Sequence, residues 1–252
     1  YLGGSGGPAA TAATMLEVSQ ASARFGLGLG AGDVNGDGYD DVLVGADLWT
    51  DTETSEGGAW LFLGGAGGVD TEPAWHVESD QAGAQMGYYV ASGGDIDGDG
   101  YGDLLVGAFT YDGDQVDEGA VFVYRGGSSL MSGPGDADWQ VSPGQTNTKF
   151  ATTVSTAGDV DQDGYDDVIV GARNYFEGGL DELGEGAAFV YRGGADGLAD
   201  SASWHLQVDR KDAYLCRTVA AAGDVDGDGY DDVIVAATEW GDVALHQDET
   251  GM

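Results

Sequence analysis

Four copies of one short acidic segment constrain this chain more than any other feature. The first is Asp33-Val34-Asn35-Gly36-Asp37-Gly38-Tyr39-Asp40-Asp41, and the others begin at Asp95, Asp159 and Asp224. The starts lie 62, 64 and 65 residues apart, a period that implies a repeat architecture before any other reading. Each copy sets oxygen-bearing side chains at alternate positions and glycine at the sixth. Each then runs directly into an apolar, β-branched stretch such as Val42-Leu43-Val44-Gly45-Ala46. Oxygen ligands at that density suit a hard cation, and calcium is the natural choice.

The rest of the unit repeats as well. Small residues precede each acidic segment, at 25–32, 86–94, 150–158 and 215–223. A third strand-like run ends Phe62-Leu63-Gly64-Gly65, Tyr124-Arg125-Gly126-Gly127 and Tyr191-Arg192-Gly193-Gly194. A fourth carries Trp75-His76-Val77, Trp139-Gln140-Val141 and Trp204-His205-Leu206. Four short strands per unit of about 60 residues is the pattern of a β-propeller blade. The fold class expected is therefore all-β, a propeller of four-stranded antiparallel blades with cation-binding hairpin loops. No apolar period of 3.6 residues marks a helix. Small residues suit the first run, because the innermost strands of a propeller crowd its axis.

The whole chain, 1–252, reads as one propeller, complete or partial, with blades at 25–79, 86–141 and 150–207. A further blade is expected from 215–246, completed by 1–20, where Tyr1-Leu2-Gly3-Gly4 matches the end of a third strand and Thr14–Ser19 supplies a fourth. In that further blade, 242–246 is the candidate third strand. Closure into a four-bladed ring, a fragment of a larger ring, and self-association of two chains to complete one all remain open.

Composition narrows the partners. Forty-five acids against eight bases give a formal charge of −37, which disfavours nucleic acid and anionic membrane surfaces. No apolar run is long enough to insert in a membrane. Cys216 is the only cysteine, so there is neither an internal disulfide nor a zinc cluster.

Within each acidic loop, positions 1, 3, 5 and 9 supply side-chain ligands and position 7 a backbone carbonyl. The first site takes Asp33, Asn35, Asp37, Tyr39 and Asp41, the second Asp95, Asp97, Asp99, Tyr101 and Asp103. The third takes Asp159, Asp161, Asp163, Tyr165 and Asp167, the fourth Asp224, Asp226, Asp228, Tyr230 and Asp232. Asn35 lowers the ligand charge of the first site. The opening six residues look like an EF-hand, but position 12 is Val44, Val106, Val170 or Val235, inside a strand, so that reading fails. An Asp-Gly turn without metal would explain one such segment but not four full ligand sets. The position-8 acids Asp40, Asp166 and Asp231 read as solvated neighbours.

These residues resemble the FG-GAP repeat of the integrin α-subunit propeller and its bacterial relatives. The naming Phe-Gly is kept at Phe25-Gly26, and the Gly-Ala end at Gly45-Ala46, Gly107-Ala108 and Gly171-Ala172. The resemblance implies calcium loops between the first and second strands of each blade, where these four fall. Millimolar extracellular calcium suits several modest-affinity sites, and so acidic a surface stays soluble there. The expectation is therefore an extracellular or cell-surface propeller serving adhesion or protein recognition. The loops at 47–57, 109–118 and 173–185 would then form the recognition surface. A lectin binding glycans on the same fold, and a non-catalytic propeller attached to a secreted hydrolase, are the alternatives.

No nucleophile elbow, zinc-protease helix or phosphate loop is present, so the expectation is a protein that is not an enzyme. Trp75, Trp139 and Trp204 recur with the unit and are expected between blades, whereas Trp49 and Trp240 are freer candidates for ligand contact. His76, His205 and His246 read as scaffold.

Overall fold

The computed structural model describes residues 1–128, 137–176, 184–208, 210 and 213–238. Among these, every regular element is a strand. The first sheet orders β1 (Leu29–Gly32), β2 (Asp41–Ala46), β3 (Gly58–Phe62) and β4 (Trp75–Glu78). The second holds β5 (Met86–Gly94), β6 (Asp103–Ala108), β7 (Ala120–Tyr124) and β8 (Trp139–Val141). The third holds β9 (Phe150–Gly158), β10 (Asp167–Ala172), β11 (Ala187–Tyr191) and β12 (Trp204–Gln207). A pair, β13 (Leu215–Gly223) and β14 (Asp232–Ala237), follows. All pairings are antiparallel and join neighbours in sequence, the meander of a propeller blade.

In the three four-stranded sheets the second and third strands are buried on both faces, which explains their unbroken apolar runs: β6, β7 and β10 have no exposed residue, whereas β14 of the last pair exposes Asp232 and Ile234. First strands of successive units, β1, β5, β9 and β13, pack side by side around the axis. The cleft they enclose is lined by Gly28 and Ala91 as expected, but also by Leu29, Tyr88, Tyr89 and Val154. The axial strands thus tolerate larger side chains than their glycine content suggests.

Two pairs of residues set the distance between blades. A Cβ on Gly45 would collide with the carbonyl oxygen of Gly87, the second residue of the next unit's first strand. Gly87 itself has φ +79° at a bulge in the β5–β6 register, and a Cβ there would meet the carbonyl of Gly58. The kept Gly-Ala end is a close backbone approach between neighbouring blades.

Two of the three repeating tryptophans pack between blades as expected, whereas Trp204 is 42% exposed. Trp75 meets Tyr124 edge-on at 4.9 Å, and Trp139 meets Tyr191 at 5.4 Å. Trp49, expected to be free, is packed instead: its ring lies 5.0 Å from Trp60 and its Nε1 donates to Glu78. Residues 1–28 form no strand, and the partner expected for Thr14–Ser19 lies outside the described residues. Leu16 and Val18 pack instead against the first sheet's cluster of Val44, Trp60 and Phe62. The expected strand at 242–246, together with Trp240 and His246, lies outside the described residues, as does 177–183 of the third variable loop.

Candidate metal centres and the comparisons

Each acidic loop closes on its own carboxylates. In the first, the Asp33 carboxylate accepts the N–H groups of Gly36, Asp37 and Gly38 at 2.8, 3.1 and 2.8 Å. Position 3 accepts from position 5, and position 5 from position 7, as in Asp37 N–H to Asn35 and Tyr39 N–H to Asp37. The fourth loop reproduces this set around Asp224, Asp226 and Asp228. These turns make the odd-numbered side chains acceptors for the loop's own N–H groups. The position-4 and position-6 glycines take positive φ in the first loop, at +73° and +87°.

Position 9 has a second role that its spacing does not reveal. Asp103 accepts the Ile96 N–H at 2.9 Å with one oxygen and the Gly126 N–H at 2.9 Å with the other. Asp41 does the same with Val34 and Gly64, and Asp167 with Val160 and Gly193. Each of these buried acids ties its loop to the end of the third strand. Burial pushes both Asp103 and Asp167 up to about 6, although the two N–H groups oppose it and nearby loop acids add to it. Burial likewise raises Asp41. These carboxylates sit where a negative charge is costly without a cation nearby.

Carboxylate oxygens lie within 4.8 Å of one another in three trios: Asp95, Asp97 and Asp99; Asp159, Asp161 and Asp167; Asp224, Asp226 and Asp232. The first loop offers no such trio. There the Asn35 amide donates to Asp37 at 3.2 Å, so an internal N–H group meets part of the charge. Asp95 Oδ1 and Asp161 Oδ1 are buried without a hydrogen-bond partner. Unpaired buried carboxylate oxygens within clustered acids fit a hard cation. In three of the four loops, three of the four expected acids converge, while Asp103, Asp163 and Asp228 lie outside the trios.

Three contributions escaped the sequence reading. Arg125 pairs with Asp97 at 3.0 Å and Arg192 with Asp161 at 2.7 Å, each gripping Oδ2 of a position-3 acid. In the first unit, Asn35 replaces the acid and Leu63 replaces the arginine. That correlation between the third run and the loop was visible in the aligned repeats.

The position-8 acids are the second: Asp40 is exposed as expected, but Asp166 and Asp231 are not solvated neighbours. Asp166 Oδ2 accepts the N–H of Asp95 at 2.7 Å, one blade back, and Asp231 accepts that of Asp159 at 3.1 Å. The backbone N–H of position 8 donates in turn to the preceding blade's position-1 carbonyl, from Gly102 to Asp33 at 2.8 Å, Asp166 to Asp95 at 3.1 Å and Asp231 to Asp159 at 3.2 Å. The rings of Tyr101 and Tyr165 also lie where a Cβ on the preceding loop's Gly36 or Gly98 would be. The loops form one connected chain along an edge of the molecule.

The third is a set of buried glutamates, Glu56, Glu118 and Glu185, each just before the third strand of its blade.

The FG-GAP repeat family matches residues 25–62, 150–191 and 217–251. The unit at 86–141 falls outside those matches, although its loop and sheet follow the same plan. Integrin alpha-4 of Xenopus laevis is 35% identical over 150 residues, 59% of this chain and 14% of its own length. Integrin alpha-PS2 of Drosophila melanogaster is 34% identical over 161 residues, 59% of this chain and 11% of its own. Human integrin alpha-IIb is 35% identical over 164 residues, 62% of this chain and 15% of its own. The chain thus spans a small part of the relatives it matches. Three matched repeats, together with three four-stranded sheets built to one plan, make the chain an FG-GAP repeat protein with a propeller like that of the integrin α subunits.

Proposed function

We propose that the chain is a calcium-stabilised, extracellular propeller module that serves adhesion or protein recognition and carries out no catalysis. The observation that carries the metal part is the pair of buried, unpartnered oxygens, Asp95 Oδ1 and Asp161 Oδ1, within acid trios. Asp95, Asp97, Asp99 and Asp103 would hold one ion, with the Tyr101 carbonyl. Asp159, Asp161, Asp163 and Asp167, with the Tyr165 carbonyl, would hold a second. Asp224, Asp226, Asp228 and Asp232, with that of Tyr230, would hold a third. Asp33, Asn35, Asp37 and Asp41, with the Tyr39 carbonyl, form the weakest site, since an amide already meets Asp37. Bound calcium supplies positive charge to crowded carboxylates and joins the first strand of each blade to the second.

The recognition part rests on the kinship with integrin α subunits and on where the variable loops lie. Loops 47–57 and 109–118 join second strands to third, at the opposite end of each blade from the acidic loops. Among the described residues no helix is long and apolar enough to cross a membrane. Of the three repeating tryptophans that would stack on a sugar, Trp75 and Trp139 are engaged between blades and only Trp204 is exposed, which favours the protein-binding reading over the lectin. Pull-down against extracellular matrix proteins in calcium, with and without chelator, tests it. Calcium-dependent capture of one protein supports adhesion. Selective glycan binding without protein capture would replace adhesion with the lectin.

A further inference from the structure

The three buried glutamates occupy one position in the blade and solve one problem in three ways. Each is at most 2% exposed, at the end of the loop that joins the second strand to the third. A buried carboxylate needs donors. Glu56 receives the N–H groups of Asp51 and Glu53 and the hydroxyl of Thr52, all from its own loop. Glu185 receives the amide of Gln207 at 2.7 Å, from the fourth strand. Glu118 has only the Gln115 N–H, at 3.3 Å on Oε1, and its Oε2 is buried without a partner.

The residue equivalent to Gln207 in that blade is Ser142, which is shorter, and its Oγ is also buried without a partner. Both residues line a cleft of ≈ 390 Å³ with Tyr111, Gly113, Asp114 and Gln140. A Cβ on Gly113 would collide with Glu118 Oε1 and lie 3.6 Å from Ser142 Oγ, so Gly113 keeps this wall open. The neighbouring blade shows what belongs there, since in it an N–H donor of the chain itself fills the place.

We propose that the cleft of the second blade binds the ammonium group of a ligand, held by Glu118 Oε2 and Ser142 Oγ. The inference rests on the recognition reading above and deepens it by naming the ligand chemistry. One unpartnered carboxylate oxygen and one unpartnered hydroxyl in the wall of one cleft suit a compact donor with several N–H groups. It does not serve the two-pronged fork of a guanidinium, which prefers both carboxylate oxygens. Nor does it suit calcium, which takes six to eight oxygens. Among the described residues, three acids converge only within the repeated loops. Asp114 adds negative charge at the cleft, and the Tyr111 ring offers an apolar wall for the methylenes behind an ammonium.

Calorimetric titration of the full chain in excess calcium tests this, with N-acetyl-lysine methylamide as probe and its arginine and norleucine counterparts as controls. Saturable binding of the lysine amide is expected, about tenfold weaker or lost in both Glu118→Gln and Gly113→Ala. n-Butylamine separates the two sources of an ammonium: equal affinity for it assigns the cleft to free amines, and a preference for the lysine amide assigns it to a protein ligand. Failure to bind, or equal binding to the wild type and both variants, overturns the proposal and leaves solvent as the partner of Glu118. Melting curves with and without calcium on the same samples keep the two readings apart. A calcium shift without amine binding sinks only this inference, whereas a missing calcium shift sinks the metal reading.

Discussion

Single residues decide how closely the blades approach. Gly45 has no room for a methyl group, because the obstacle is the Gly87 carbonyl, a backbone atom that cannot swing aside. Gly45→Ala is expected to cost about 3 kcal/mol or more in urea unfolding, at the upper end of overpacking penalties. The position-8 acids give a finer test. Asp166→Ala leaves the Asp95 N–H without its acceptor and is expected to cost ~1–2 kcal/mol. Gly102 stands where a carboxylate would cap Asp33, and the site of its Cβ lies 3.1 Å from the Asp33 carbonyl oxygen. Gly102→Asp should therefore raise the free energy of unfolding in calcium by about 0.5–1 kcal/mol. A fall would mean that the added charge outweighs the new hydrogen bond. Such roles were not legible in the sequence: an acid at position 8 looks solvated until the neighbouring blade is in place. The positions of the alternating ligands were legible, because they depend on spacing within one short loop.

At the scale of the element, the unit is a hairpin whose acidic loop is clamped to the end of the third strand. Position 9 makes the clamp with two backbone N–H groups, and in the second and third units an arginine adds a second grip on the position-3 acid. The Arg192 guanidinium offsets charge in the empty loop and repels a cation approaching it. Arg192→Leu should therefore lower the melting temperature in chelator and enlarge the rise on adding calcium. Because the pair is partly exposed, the loss in chelator is expected at about 1 kcal/mol or less. An unchanged calcium-induced rise would show that the arginine does not act on the site. Strand order and strand number were readable from the repeat, since each run is short, bounded by glycine and recurs in register. The segment at 14–19 shows the alternation of a strand at Leu16 and Val18, but alternation alone does not identify a pairing partner. Both side chains pack against the first sheet's cluster.

For the whole molecule, the acidic loops of successive blades are joined by hydrogen bonds and tyrosine rings into one run, so the loss of order in one loop should weaken its neighbours. With a formal charge of −37, the empty state carries strong repulsion along that run. The central claim is that cations at these loops hold the blades together, and thermal unfolding with calcium and with excess chelator tests it most directly. With calcium at about ten times its dissociation constant, each occupied loop adds about 1.4 kcal/mol. The three loops with full acid sets then raise the melting temperature by about 10 °C or more. Superimposable curves in calcium and in chelator would contradict the account.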